Sequence, residues 1–347
     1  MKKLLVLLSL CMATGGLHAQ SSRMQVLESA QNFVIYTKSG VAYHYLVHSQ
    51  QSYKMQKHDG KVTIAGDDFD VADIKEMRFV KLSRFSLDED STAFSTNYNI
   101  DHGLLAFRRT LTIGQWNTLV VPFSLTGRQV QDAFGEGTLL AKPRGITTGD
   151  VATVEFETIA INTDEEVVSA GQHYLIKPTR EPDVAVGALT SILYAGKRIA
   201  GPVYIIPNVS LDGNQKGPAI QRLQSTDNQL FFAVRGSYQN QKEPSTSSML
   251  FYAVDDNGRF ANYGNSIQLQ AFRSWLQQVK NDKGLDIHFY ICGVEEDITG
   301  TSSLNGILQD DNRPDCVFDL QGRRVSNSTS TLKTGLYIIN GKKVIVK

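Results

Sequence analysis

Cysteine, net charge and long apolar runs are all scarce in this sequence, and each shortage excludes a class of protein. Of the three cysteines in 347 residues, only Cys292 and Cys316 follow the N-terminal segment. One pair cannot form the multi-bridge framework of a small secreted domain, so the two residues are either bonded to each other or two thiols. The formal net charge of zero gives no electrostatic reason to expect nucleic acid or an anionic membrane surface as a partner. After the N-terminal segment, no apolar stretch approaches the length of a transmembrane helix.

The local motifs of common enzymes are also missing. The sequence contains no G-x-S-x-G, no G-K-[ST], no G-x-G-x-x-G and no H-E-x-x-H, which are typical of esterases, phosphate loops, dinucleotide sites and zinc proteases. The later histidines are scattered, at positions 44, 48, 58, 102, 173 and 288. His44 and His48 lie four residues apart, but in a strand this spacing separates them along one face. We therefore predict no enzyme, no catalytic residue, no cofactor and no metal site.

Three groups of residues could suggest a metal or catalytic site, but we interpret them as structural. The aspartates at 67, 68, 70 and 73 resemble a calcium loop, but the spacing from Asp68 lacks the glycine at loop position six. A solvated turn with a helix N-cap is expected there instead. Glu155 and Glu157 lie two apart in a strand pattern, which predicts an exposed strand face rather than an acid/base pair across a cleft. A pairing of either cysteine with His173 or His288, as in thiol proteases, has no local signature to support it.

Residues 1–19 have the layout of a secretory signal peptide. Lys2 and Lys3 form a positive n-region, a short apolar run follows, and small residues lead to Ala19. We expect cleavage near Ala19 and a product that is secreted or held on the extracellular face of the outer membrane.

Residues 20–88 are predicted to form a small β module. Strand-forming runs rich in Val and Tyr flank Ser39-Gly40, and a second pair of runs flanks Asp59-Gly60; both patterns are typical of β-hairpins. The run FVIYTKSGVAYHYLV, followed by DGKVTIAGDDFDVADIKEMRFVK, resembles a small β module near the start of secreted surface proteins of the Bacteroidetes type. The acidic stretch that follows is interpreted as a linker, placed at residues 89–96.

Residues 97–293 are predicted to form a central β-sandwich or jelly-roll-like domain, because short strand patterns recur between turn signals. Its best defined stretch combines a buried strand, a short helix and a second strand. Thr126 is expected to cap a helix over Gly127–Phe134, and Gly135 is expected to end it. Five apolar residues are expected to pack this helix on the sandwich, namely Trp116, Val120, Phe123, Val130 and Phe134.

Three motifs occur in order in this region: WNTLVVPFSLT, VQDAFGEGTLLA and AGQHYLIKPT. Together they resemble a signature of large secreted proteins of the same bacterial type. The resemblance implies an architecture, with no assigned chemistry. Residues 266–280 fit a helix face and strand alternation alike, and the resemblance favours a strand.

Residues 294–313 are polar and turn-rich, and we interpret them as a second linker. Residues 314–347 are predicted to form a β-meander, in which Asn340-Gly341 marks a hairpin. The segments VFDLQGRRV and LKTGLYIINGKKVIVK are similar to the C-terminal sorting domain of type IX secretion cargo. The resemblance implies contact with that secretion machinery and display at the cell surface.

Tyrosines near polar turns are the clearest indication of a binding surface. A tyrosine ring offers an apolar face and a polar tip, which suits contact with carbohydrate or protein. The candidate binding loop consists of Tyr238, Asn240, Tyr252 and Tyr263. The alternative is that these residues form the rim of a core or a flexible loop.

These patterns predict a secreted, mainly β, non-catalytic protein. It would bind an extracellular glycan or protein in adhesion, or would form a structural component of a surface assembly. The alternative is a secreted hydrolase of glycans or peptides whose catalytic residues follow no known motif.

Overall fold

The computed structural model describes residues 30–47, 55–94, 99–184, 202–215, 217–243 and 249–300, together with the backbone of four strands between 317 and 346. In this part of the chain, no helix has both the length and the apolar character needed to cross a membrane. The predicted signal peptide lies outside the described residues.

The described residues fold mainly into short strands. The N-terminal strands are β1 (Gln31–Thr37), β2 (Ala42–Val47), β3 (Gln56–His58), β4 (Lys61–Ile64), β5 (Asp67–Asp70) and β6 (Ile74–Val80), with a 3-10 turn at Val71–Asp73. The next elements are β7 (Arg84–Asp88), β8 (Ile100–Arg108), β9 (Asn117–Leu119), β10 (Leu125–Thr126) and helix α1 (Gly127–Phe134).

The strands after the helix complete the central region. They are β11 (Leu139–Thr148), β12 (Ala152–Ile159), β13 (Glu166–Val168), β14 (Tyr174–Lys177), β15 (Asp183–Val184), β16 (Pro202–Leu211), β17 (Gln221–Gln224) and β18 (Leu230–Ser237). Then follow β19 (Gln241–Glu243), β20 (Leu250–Val254), β21 (Phe260–Asn262), β22 (Ile267–Leu269), β23 (Arg273–Asn281), β24 (Ile287–Cys292) and β25 (Glu296–Asp297). The last strands are β26 (Val317–Phe318), β27 (Arg324–Ser326), β28 (Gly335–Ile339) and β29 (Lys342–Val346).

Both predicted N-terminal hairpins are confirmed. β1 and β2 pair antiparallel across a turn that contains Gly40 (φ 89°), and β3 pairs with β4 across Asp59 and Gly60, both at positive φ. Glycine adopts this backbone conformation without a steric penalty, which is why such turns are typical of hairpins. The sheets β2-β1-β6 and β3-β4-β5 enclose a small core made of Phe33, Ile35, Tyr45, Ile64 and Phe69.

β8 is the strand that joins the N-terminal part to the rest, and the sequence patterns did not predict it. It lies in the sheet β15-β16-β8-β7, parallel to β7 and antiparallel to β16. One face of β8, with Leu105 and Phe107, belongs to the main core. On the other face Leu104 and Ala106 pack against residues of the N-terminal module, including Leu46. The strand is therefore buried on both faces.

The predicted linker at residues 89–96 begins inside the fold. Ser86 lies inside β7, and Glu89, the first residue of the predicted linker, is buried. The predicted second linker likewise begins inside the fold, because β25 pairs with β24, and the Glu296 carboxylate accepts a hydrogen bond from Trp116. The division of the chain into domains stays a prediction.

The central region has three layers. The six-stranded sheet β25-β24-β12-β11-β14-β9 packs against the five-stranded sheet β17-β18-β23-β20-β21. Residues on its other face, such as Leu140 and Ile176, pack toward α1 and the sheet that contains β8. The predicted mainly β fold is confirmed, with one sheet buried between two other layers.

Helix α1 forms as predicted. The Thr126 hydroxyl accepts a hydrogen bond from the Gln129 N–H at 3.3 Å, and the Gln129 side chain accepts one from the Thr126 N–H at 2.9 Å, which is a capping box. Gly135 has φ 107° and faces Thr179 and Arg180 so closely that a Cβ would clash. Four of the five predicted packing residues lie in the same core as the helix, whereas Trp116 packs in the core between the two larger sheets.

The ambiguous segment 266–280 is strand, as the resemblance favoured. Residues 270–272 separate β22 from β23, and Phe272 among them has φ 62°. At the C-terminus, β26 to β29 form an antiparallel sheet in the order β27-β26-β28-β29. This order is not the predicted meander, because β26 rather than β27 pairs with β28. Ile339 pairs with Lys342, the register expected for a hairpin at Asn340-Gly341.

A buried carboxylate joins the sheets where they meet. Glu89 accepts hydrogen bonds from the backbone N–H and the hydroxyl of Thr110, and it lies 3.4 Å from guanidinium nitrogens of both Arg109 and Arg273. The Arg109 guanidinium also donates to the Thr118 carbonyl at 2.9 Å. These groups belong to the ends of β7 and β8, to β9 and to β23. Glu89 and Arg109 together therefore link the sheet of β8 to the sheets that contain β9 and β23.

Neutralising this carboxylate should destabilise the whole fold. Glu89→Gln leaves the buried Arg109 without a counter-charge, and breaking a buried ion pair in this way costs about 3–5 kcal/mol. We expect a loss of that size in the free energy of unfolding, measured by urea denaturation. The exposed Glu136→Gln is the control and should change stability by less than about 0.5 kcal/mol. Equal effects of the two variants would contradict the role given to Glu89.

Candidate functional site

The predicted binding residues do not form one exposed loop. Tyr238 and Tyr252 are 3% and 7% exposed, so both rings hold the core position that was the alternative to an exposed binding loop. The Tyr252 ring lies in the core between the two larger sheets and its hydroxyl donates to Gln278. Tyr263 is exposed, in a turn near β21, and Asn240 is half-buried and bonded to the backbone of Asp90 and Ala271. Because the rings of Tyr238 and Tyr252 are buried, the polar residues beside them in the sequence do not mark an exposed binding surface.

Only one of the two cysteines of the predicted disulfide lies among the described residues. Cys292 is fully buried at the end of β24. Cys316 lies outside the described residues, so the alternatives of a bridge and two thiols both stay open.

The described residues form a cleft of about 400 Å³ beside Tyr238. Its wall combines the end of β18, the start of β19, one residue of β23 and the segment that precedes β17. The polar lining residues are Gln215, Arg235, Ser237, Gln239, Gln241 and Glu243. The apolar and aromatic lining residues are Phe94, Pro218, Ile220, Tyr238 and Trp275. This volume lies within the range of sites for small molecules.

Strand pairing places two residues of the cleft lining, Arg235 and Trp275, side by side. Arg235 on β18 is directly opposite Trp275 on β23. Alternation along β18 turns Phe232 and Val234 into the core, so Arg235 points to the outer face of the sheet. Ile220, which is 55% exposed, adds an apolar surface at the rim.

Two hydrogen-bond donors in this wall have no partner among the described residues. They are Nε of Arg235 and Nε1 of Trp275, and both atoms are buried. A buried donor without a partner costs about 1–3 kcal/mol. A ligand oxygen that accepted a hydrogen bond from either nitrogen would offset part of this cost. Small side-chain movements would have to expose the nitrogen to the ligand.

The cleft offers both signs of charge and several amides. Arg235 and Glu243 supply a cation and an anion, and three glutamines can donate and accept hydrogen bonds. The Tyr238 hydroxyl donates to the Val121 carbonyl at 3.3 Å, and burial raises the pKa of Tyr238, so this hydroxyl stays protonated. Glu243 is the one carboxylate in the lining. These side chains can hold a polar ligand through hydrogen bonds and charge.

A serine–histidine pair lies beneath the cleft. His173 Nδ1 is 2.9 Å from the Ser274 hydroxyl, and its Nε2 is 2.6 Å from the Ala219 carbonyl, so Nε2 carries the proton and Nδ1 accepts from the serine. Both side chains are buried, and Gly236 of the cleft wall lies over them, so close that a Cβ there would approach the imidazole at 3.0 Å. No carboxylate orients the imidazole, and the serine is closed off from the cleft. The pair therefore ties β14 to β23 and does not form a nucleophile site.

The acidic residues that the sequence singles out are either buried or hydrogen-bonded within the fold. Glu155 is 2% exposed, so the prediction of an exposed face is wrong at this residue. Its strand lies in the middle layer, and burial raises the pKa of Glu155. In the aspartate stretch Asp70 caps the 3-10 turn through a 3.0 Å bond from the Ala72 N–H, which confirms the predicted N-cap. Asp67 and Asp68 accept hydrogen bonds from Tyr45 and Thr63.

Arg235 and Trp275 were missed as site residues. The sequence signal was present in part, since Gln239 and Gln241 belong to the same amide-rich stretch as Tyr238. However, the pairing of β18 with β23 joins residues 40 positions apart in the chain, and no local pattern indicates that pairing.

No family model, curated protein or solved structure matches this chain.

The buried His173 should make stability depend on pH. Burial lowers the pKa of His173, although its hydrogen bond to the Ala219 carbonyl opposes this shift. Below about pH 6.5, the ordinary histidine value, the unfolded chain binds a proton that the folded chain does not. Stability is therefore kept above that pH and lost as the pH falls, by up to about 1.4 kcal/mol per pH unit.

We expect His173→Gln to reduce the loss of unfolding free energy between pH 7 and pH 5, measured by urea denaturation at each pH. His58→Gln, at an exposed position, serves as the control and should keep the wild-type pH dependence. An unchanged slope in His173→Gln would show that this histidine is not the source of acid sensitivity.

Proposed function

We propose that this protein is a secreted or cell-surface binding protein without catalytic activity, and that the cleft beside Tyr238 holds an extracellular glycan. The observation that carries the proposal is the pair of buried, unpartnered donors of Arg235 and Trp275 in the cleft wall. In an adhesive protein, the rest of the fold serves as a rigid support for this surface.

A saccharide fits the composition of the cleft better than an apolar ligand does. Sugar hydroxyls donate and accept hydrogen bonds, and the cleft offers amides, one cation and one anion to match them. The C–H faces of a sugar ring need apolar contact, which Pro218 and Ile220 supply at the rim. Amide and charged side chains with a few apolar contacts are the polar groups that fix a ligand in such a site.

A hydrolase is the less supported alternative. Only Glu243 contributes a carboxylate to the described lining, and the Ser274–His173 pair is buried below it. Neither group has the second partner that glycoside or acyl transfer chemistry requires.

Glycan binding should depend on Arg235. We expect the purified chain to bind at least one class on a glycan array, and Arg235→Met to weaken that binding about tenfold or more. A hydrogen bond to a charged group contributes about 1.5–3 kcal/mol, and about 1.4 kcal/mol corresponds to a factor of ten. Affinity is measured by calorimetry with the glycan found on the array.

Arg222→Met is the matched control. Arg222 lies over the Phe231 ring near the same sheet edge, 5.7 Å from the ring centroid, but is not part of the cleft lining. This variant should keep wild-type affinity, and thermal melting should show that both variants are folded. No glycan binding above background would contradict the proposal, as would equal losses in the two variants. Binding to a peptide array alone would replace the glycan with a protein partner.

We also propose that residues 314–347 direct export by a type IX-like route. The support for this proposal is the antiparallel pairing of β26 to β29 in a small sheet, although their order is not that of the expected meander. In a host with the type IX machinery, deletion of residues 314–347 should abolish surface display, measured by antibody labelling of intact cells and by blotting of the medium. The full-length chain is the control. Unchanged export and retention of the truncated chain would contradict a sorting role.

A further inference from the structure

Two histidines from different parts of the fold meet where the N-terminal module packs on the sheet of β8. His44 lies on β2 and His102 on β8, and their rings stack with centroids 3.6 Å apart. Asp101 lies beside them, with its Oδ1 3.5 Å from Nε2 of His102. One ring nitrogen of each histidine and one oxygen of Asp101 all lie within 4.8 Å of one another. Within the described residues this is the one group of three such ligands.

Local geometry turns these side chains toward each other. The pairing of β8 with β16 shifts register between Val209 and Leu211, opposite residues 101 and 102. His102 has φ 47°, and its N–H donates to the Ser210 hydroxyl at 3.1 Å. A β-bulge can aim a side chain away from the regular alternation of its strand. Here it brings His102 against the ring of His44.

We propose that His44, Asp101 and His102 bind a divalent first-row transition-metal ion, with Zn²⁺ as the probe ion. Two imidazole nitrogens and one carboxylate oxygen form a common ligand set for zinc and related ions, and they leave a fourth position for water. Bonds of about 2.0–2.2 Å place neighbouring ligand atoms about 3.3 Å apart in a tetrahedron. Asp101 and His102 are near that spacing at 3.5 Å, and all three ligand atoms lie within 4.8 Å of one another. The stacked rings must tilt apart for their lone pairs to converge on one ion.

A buried amide supports the ligand role of His44. Asn32 is 3% exposed, and its side-chain nitrogen lies 3.2 Å from Nδ1 of His44. The amide oxygen has no hydrogen-bond partner among the described residues. The two orientations of an amide are hard to tell apart, and in the opposite one this oxygen accepts a hydrogen bond from the Nδ1–H of His44. Metal-bound histidines usually donate their second ring nitrogen in this manner.

The position of the ion gives it a structural consequence. His44 belongs to the N-terminal module, whereas Asp101 and His102 belong to the sheet that the module covers. The apolar contact of Leu46 with Leu104 and its neighbours lies on the same face of β2 as His44. An ion bound by both parts would therefore fasten the module at the edge of this contact. Asp101, with a side chain 79% exposed, leaves the ion accessible from solvent.

The test uses the full chain after treatment with a chelator and measures Zn²⁺ binding by calorimetry. We expect one saturable site, weakened at least about tenfold in His44→Gln and in His102→Gln, because even changes in the outer shell of a metal site cost 10–100-fold in affinity. Asp101→Asn should also weaken binding, and it should leave the fold intact because this side chain is exposed. His58→Gln and His288→Gln are controls that should bind as the wild type does.

A second measurement examines the fastening role. Zn²⁺ should slow deuterium uptake in β1 and β2 of the wild-type chain, and it should have no such effect in Asp101→Asn. Absence of a saturable site would overturn the proposal. So would wild-type affinity in all three ligand variants, which would place the ion at other residues. Binding without protection of β1 and β2 would overturn the fastening role.

Discussion

The buried carboxylate of Glu89 is the interaction on which the central architecture depends. Burial, and then the charge of Arg273, lower the pKa of Arg109 to about 9, while the charge of Glu89 opposes this shift. Arg109 is therefore protonated at neutral pH and needs its counter-charge. Because the ion pair joins groups from the ends of β7 and β8 to β9 and β23, the sheets cannot move apart without exposing an uncompensated buried charge.

Beside this ion pair, the middle sheet is buried on both faces because it lies between the sheet of β8 and the five-stranded sheet. Apolar residues then point both ways along β11 and β14, as the alternation of Leu140 with Ala141 and of Leu175 with Ile176 shows. Glu155 lies in this layer, so its carboxyl group is buried. The alternation of apolar and polar residues in its strand is nevertheless typical of a half-exposed sheet.

The sequence predicted what local chemistry determines. The hairpins at Gly40 and Asp59-Gly60, the cap at Thr126 and the stop at Gly135 each depend on a few adjacent residues, and all are present. The burial of Tyr238 and Tyr252 was not predictable, because it depends on which strand lies against β18 and β20. β8 was missed because it is buried on both faces and its apolar residues do not alternate with polar ones. The two candidate sites depend on the same kind of long-range pairing.

Both candidate sites lie where separate sheets or modules meet, and this position follows from the fold. Loops between short strands are held by few contacts, whereas the cleft is built on the rigid β18–β23 pair, and the histidines are aimed by a bulge in β8. Rigid elements hold a binding geometry more closely than loops do. The unpartnered donors of Arg235 and Trp275 and the unpartnered oxygen of Asn32 are each a cost to the folded chain. Buried polar atoms without a partner also occur elsewhere in the described residues, such as Nε of Arg109 and the Tyr204 hydroxyl. The three atoms at the candidate sites differ from these because they lie beside side chains that a ligand can reach.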